Sequence, residues 1–152
     1  MTDYPYKSKI EEAVATFPRR FLTLSSGPRE YLLQNKCKAD FCFPMSPRGI
    51  LFVEDDDAAR AINNLIKYWI WAEKHPDYQP IHLIHIVETS RPAQVENLKF
   101  LAGKMQQFVS NFTFHLITLD NWQLPDETWL PRFRETVKKI AEDKICGANK
   151  GV

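Results

Sequence analysis

Two acidic segments carry the side chains best suited to chemistry. Asp40 stands in Lys38-Ala39-Asp40-Phe41-Cys42-Phe43, and Glu54-Asp55-Asp56-Asp57 follows the apolar run Ile50-Leu51-Phe52-Val53. Carboxylates are hard oxygen ligands, and magnesium takes only one or two of them from a protein while keeping several waters. If the two segments are adjacent strands, Asp40 and Glu54 can supply that pair. Side chains alternate along a strand, so Glu54 and Asp56 share a face and Asp55 points away. Lys38, two residues before Asp40, then brings an ammonium to Asp40's face. Asp40, Glu54 and Asp56 are therefore the candidate ligands for a divalent cation. A structural role competes for part of this run: Asp55 to Asp57 can cap the following helix and complement its dipole. The two are compatible, because Glu54 can hold metal while Asp57 caps.

Other groups are less directed. His82 and His85 form H-x-x-H, but on a strand the odd spacing sends them to opposite faces, so they do not make a metal pair. His115 lies on another strand and reads likewise as a histidine satisfied by a partner. Trp69 fits the buried stripe of its helix and Trp71 falls away from it, which next to Tyr68 would make an interface. Glu88-Thr89-Ser90-Arg91-Pro92 leaves a strand and enters a helix, where open α/β sheets bind ligands. Neither G-x-G-x-x-G nor G-x-x-x-x-G-K occurs, and G-x-S-x-G is absent too, which argues against the corresponding nucleotide and serine-hydrolase sites.

The elements that must position these groups follow from periodicity. A first helix is expected from Pro5 to Phe17, with Ser8 and Glu11 as a capping box and Ile10, Ala13, Val14 and Phe17 as its apolar stripe. A hairpin of Arg20–Ser25 and Glu30–Gln34 turns at Ser26-Gly27-Pro28, and pairing continues through Lys38–Phe43. After the turn Pro44 to Gly49, Ile50–Val53 is apolar on both faces, as a central strand is. A long helix opens at Asp55 to Asp57, carries Ala59, Ile62, Ile66, Trp69 and Ile70 on its buried side, and ends near His75-Pro76. Strand Ile81–Val87, a helix opening at Pro92 with Val95, Leu98, Ala102, Met105 and Val109 inward, and strand Phe112–Leu119 come next. A last helix from about Asp126 buries Leu130, Phe133, Val137 and Ile140, and a flexible tail follows from Gly147. The expectation is one α/β domain over residues 1–146: a mixed central sheet, antiparallel at first and then parallel, with helices on both faces.

Composition agrees with one folded domain. The 152 residues are 44% apolar and 26% charged, close to globular averages. No run nears the roughly 20 apolar residues of a membrane span, and Met1 to Lys9 lacks the apolar centre of a secretory signal. A cytoplasmic protein without a membrane partner is expected. Cys37, Cys42 and Cys146 have no C-x-x-C spacing and read as reduced thiols. The net charge of +1 provides no global field for nucleic acid, although residues 1–50 hold eight Lys/Arg against five Asp/Glu.

One helix, an antiparallel hairpin feeding a central strand, and a helical crossover to a parallel strand resemble the PD-(D/E)XK, or restriction endonuclease-like, nuclease fold. Asp40 and the segment Ile50 to Asp56 resemble that family's signature, an acidic residue on one strand followed after a turn by another near the end of the next. The resemblance implies a magnesium-dependent nuclease acting on phosphodiesters, with Asp40, Glu54 and Lys38 catalytic, Arg48 or Arg20 neutralising the nucleic-acid backbone, and Glu11 or Glu12 standing in for a helix carboxylate. Asp56 occupies the position of the family's lysine, which orients water and stabilises negative charge. That departure implies an alternative, a degenerate nuclease-like fold working through a surface as a homodimer or as a subunit bound to a protein partner. The segment Ile50 to Asp56 is also similar to the opening strand of response-regulator receiver domains, for which Asp120 is the only candidate phosphoacceptor.

Overall fold

The computed structural model describes Lys9, Ile10, Glu12 and residues 29–34, 37–45, 48–119 and 129–150, of which 29–34, 37, 38, 141 and 143–150 are described by backbone alone. Five strands, β1 (Arg29–Gln34), β2 (Cys37–Pro44), β3 (Ile50–Asp57), β4 (Ile81–Glu88) and β5 (Phe112–Leu119), form one sheet in the order in which they occur in the chain. The β1–β2 and β2–β3 pairs are antiparallel; β3–β4 and β4–β5 are parallel. Three helices have described ranges, α1 (Ala58–Lys74), α2 (Pro92–Phe108) and α3 (Trp129–Lys150), and Lys9, Ile10 and Glu12 are helical as well. The mixed α/β architecture is as expected. The helix that continues through Gly147 to Lys150 is not. The expected strand Arg20–Ser25, its turn at Ser26-Gly27-Pro28, the Ser8/Glu11 capping box and Asp126 lie outside the described residues.

Helices cover both faces. The side chains of Phe52, Leu83 and Val87 pack under α1 and α2 with Leu65, Tyr68, Trp71, Leu98 and Met105. Leu51, Val53, Ile84 and Ile86 face the other way, toward Trp129, Phe133, Val137 and Ile140 of α3 and the helical residue Ile10. Two consecutive crossovers in the same direction and of the same hand place α1 and α2 on one face, which leaves the other to α3.

The β2–β3 turn is fixed against the start of β4. Gly49 has φ 105°, and a Cβ there would lie 2.7 Å from the Pro80 carbonyl oxygen. Only glycine fits both the backbone and the space. Met45 N–H donates to Gly49 O and Ile50 N–H to Pro80 O, each at 3.0 Å. At the far edge, Phe114 N–H of β5 donates to Gln106 Oε1 at 3.0 Å, so a side chain of α2 occupies a donor that an edge strand would otherwise offer.

The buried face of α1 differs from the stripe read from the sequence. Ala58, Ala61, Leu65, Tyr68, Trp71 and Ala72 are buried, whereas Ala59 is exposed, Ile62 and Trp69 are only partly buried, and Ile66 and Ile70 remain 45% and 40% exposed. Trp71 therefore lies in the core, edge-on to Phe52 at 5.2 Å and stacked on His75 at 4.4 Å, and does not form an interface with Tyr68. Two large isoleucines pulled the apparent stripe by one position; the true one is built partly from alanines that let α1 approach the sheet.

This assignment sets two neighbouring substitutions apart. Leu65→Ala should cost about 2–5 kcal/mol in urea unfolding, as for other buried leucines, and Ile66→Ala less than about 1 kcal/mol. Equal losses, or a larger loss at Ile66, would show that the helix is rotated from this arrangement.

Candidate functional site

The site arises where β2 and β3 part. Their ladder runs from Pro44↔Ile50 to Phe41↔Val53. Beyond it side chains take over: Asp40 N–H donates to Glu54 Oε1 at 3.2 Å, and Asp55 N–H donates to Asp40 Oδ2 at 3.1 Å. Each carboxylate replaces a ladder acceptor of the opposite strand. Meanwhile β3 stays paired with β4 as far as Asp57↔Glu88, so the acidic run is held straight at the C-terminal end of a central parallel strand. Asp57 closes the run as the N-cap of α1, its carboxylate accepting from Arg60 N–H at 2.9 Å.

Alternation along β3 turns Glu54 and Asp56 toward α1, as expected. Glu54 accepts from Lys67 Nζ at 2.9 Å and from the Tyr68 hydroxyl, both on Oε1. Asp56 Oδ2 accepts from Asn64 Nδ2 at 2.6 Å and from His85 Nε2 at 2.7 Å. Asp55, expected to point away, still lines the same cleft and shares a carboxyl hydrogen bond with Asp40. Asp40 sits in the gap between the strands, within reach of groups from both faces. The cleft, about 350 Å³, is lined by Asp40, Glu54, Asp55, Asp56, Arg60, Asn63, Asn64 and Lys67.

Four carboxyl groups against two cations is an electrostatic problem. Removal from water, the charge of Asp40 and a hydrogen bond shared with it push Glu54 up to about 9, although Lys67 and Tyr68 oppose the shift. Burial, the hydrogen bond and charge of Asp40, and Asp56 likewise push Asp55 up. Burial first, and then the charge of Glu54, raises the Tyr68 hydroxyl well above its ordinary range. Clustered carboxyls can keep protons or hold a cation, and the two solutions exclude each other.

Of the remaining candidates, Lys38 is in β2 opposite Leu32, and its side chain lies outside the described ones. Arg48 lines a separate hollow with Gln79, Pro80, Ser110, Asn111 and Thr113 at the opposite end of the parallel strands and is not among the residues that line the acidic cleft. Glu12 is exposed, while Arg20, Glu11 and Asp120 lie outside the described residues. His82 and His85 do take opposite faces: His82 Nδ1 meets His115 Nε2 at 2.9 Å, whereas His85 reaches Asp56. The sequence reading missed Asn64, Lys67 and Tyr68. Their signal was the helical spacing of three and four residues on the helix that follows Glu54.

No family model, curated protein or solved structure matches this chain. Among the described residues no helix is long and apolar enough to cross a membrane, and no group of three or more Asp, Glu, His and Cys side chains is arranged to hold a metal ion by itself.

The raised Glu54 carboxyl sets a pH dependence. Its folded pKa lies above its unfolded value, so its contribution to stability is complete below about 4.5 and is lost as pH rises toward about 9. Urea unfolding in chelator should show stability falling across that window, and Glu54→Gln, which mimics the neutral acid, should flatten the slope. A slope of the opposite sign would mean that Glu54 is ionised in the folded protein.

Proposed function

We propose that the cleft is the active site of a divalent-metal-dependent nuclease of restriction endonuclease-like architecture. The observation that carries this reading is the contact of Asp40 with Glu54 in an open cleft where Lys67 Nζ lies 2.9 Å from Glu54. Asp40 and Glu54 offer hard oxygen donors of the kind a divalent cation takes. Donors from the backbone and from α1 and β4 fall on Oδ2 of Asp40, Oε1 of Glu54 and Oδ2 of Asp56, as donors around a metal site orient its ligands. Asp40 and Glu54 would hold the ion, and two carboxylates with water are sufficient for magnesium.

Bound there, magnesium would lower the pKa of a coordinated water and neutralise charge on a phosphodiester oxygen. The chain supplies the rest. Asp56 occupies the motif position of the lysine, and Lys67 brings the ammonium from α1 instead, 17% exposed at its side chain and close enough to offset charge developing on the phosphate. Arg60 and Asn63, exposed on the cleft rim, are placed to engage neighbouring phosphates.

The test is cleavage of single- and double-stranded DNA and RNA with magnesium, manganese or chelator. Metal-dependent products are expected, with Asp40→Asn, Glu54→Gln and Lys67→Ala each lowering the rate by about 10²-fold or more, in line with removal of a charge-stabilising group. Loss in Lys38→Ala with retention in Lys67→Ala would return the ammonium to β2. A second reading rests on the three donors that converge on Glu54 Oε1: an acid this fully paired suits a nuclease-like fold that has given up catalysis and binds a protein partner or a second copy. Manganese binding without cleavage of any of these substrates would favour it.

A further inference from the structure

His85 is a cost with no structural return in the core. It is fully buried, and its Nδ1 has no hydrogen-bond partner among the described residues. An orphaned buried polar atom is destabilising, and the surrounding positions of β4, Leu83 and Val87 on the same face, are apolar. An apolar side chain would fill the place without that penalty. What the imidazole does is donate from Nε2 to Asp56 Oδ2 at 2.7 Å, alongside Asn64 Nδ2 at 2.6 Å. Asp56 is 9% exposed at its side chain and lines the cleft. Two donors on one oxygen fix the plane of the carboxylate and leave Oδ1 as the acceptor it can present.

We propose that His85 is a positioning residue that, with Asn64, aims Asp56 Oδ1 at the water shell of a divalent cation held by Asp40 and Glu54. This rests on the metal reading above and adds to it a division of labour. Asp40 and Glu54 meet the ion, Asp56 orders the waters it carries, and His85 holds Asp56 from the side away from solvent. A carboxylate ordered in this way accepts hydrogen bonds from metal-bound water, and partners behind a metal site are typically worth about 10–100-fold in affinity or activity.

The amides of glutamine and asparagine separate positioning from packing, since glutamine sets its nitrogen where Nε2 lies and asparagine where Nδ1 lies. Manganese alone serves as the probe, its free concentration read by electron paramagnetic resonance against wild type, His85→Gln, His85→Asn and His85→Leu, with thermal melts to show that each variant folds. The expected result is affinity within about threefold of wild type for His85→Gln and tenfold or more weaker for His85→Asn and His85→Leu. Asn64→Leu should weaken binding in the same direction. Wild-type affinity in all folded variants would overturn the role of His85 and leave the metal reading standing, and equal loss in His85→Gln and His85→Asn would reduce His85 to packing. A wild-type protein that binds no manganese would overturn the metal reading itself, and this role with it.

Discussion

Beyond the Phe41↔Val53 pair the backbones of β2 and β3 no longer satisfy one another, and the chemistry of the molecule follows from how that gap is filled. Buried N–H groups left without acceptors are costly. The side chains of Glu54 and Asp40 supply the acceptors, each to the backbone of the other's strand. This solves a hydrogen-bonding problem by creating an electrostatic one, because it draws two carboxyls together, with Asp55 and Asp56 beside them, in a place with little water. Protons on Glu54 and Asp55 are one answer. The ammonium of Lys67 is part of another, and a cation in the cleft would complete it.

Helix α1 carries both halves of the solution. Tyr68 packs its ring 5.1 Å from Phe52 in the core and turns its hydroxyl onto Glu54, while its neighbour Lys67 reaches the same oxygen from the cleft edge. Asn64, a turn earlier, secures Asp56. The face that buries Leu65 and Trp71 thus grades directly into the face that lines the site. Substitutions that shift α1 on the sheet would therefore disturb packing and cleft geometry together.

The skeleton was legible because apolar alternation and helical spacing are strong in Ile50–Val53, in β4 and in α2, and because Asp57 caps and Pro92 opens their helices as local chemistry demands. The pairing of Asp40 with Glu54 was legible too, since both follow from strand adjacency. The rotation of α1 was not. Hydrophobicity favours Ile66 and Ile70 over Ala58 and Ala61, yet close approach to a sheet rewards small side chains, and only the packed structure decides between them. With the stripe misplaced, Lys67 and Tyr68 were not assigned to the site, and the ammonium was read from strand alternation as Lys38, whose side chain lies outside the described ones. His85 was identified as a partnered histidine, but its partner lies 29 residues earlier in the chain, a distance no local pattern spans.

The sheet order has a consequence for how the molecule is made. Among the described residues every strand pairs only with its neighbours in sequence, so each of these ladders closes as soon as one hairpin or one helical crossover has formed, and none of these strands must wait for a distant partner. Loop closure is then inexpensive in entropy, which favours rapid, stepwise folding. During synthesis the acidic cleft, assembled from β2, β3, α1 and β4, can be complete once His85 and the end of β4 have left the ribosome. The segments that follow, α2, β5 and α3, add the second helix of one face and cover the other without contributing to the cleft lining.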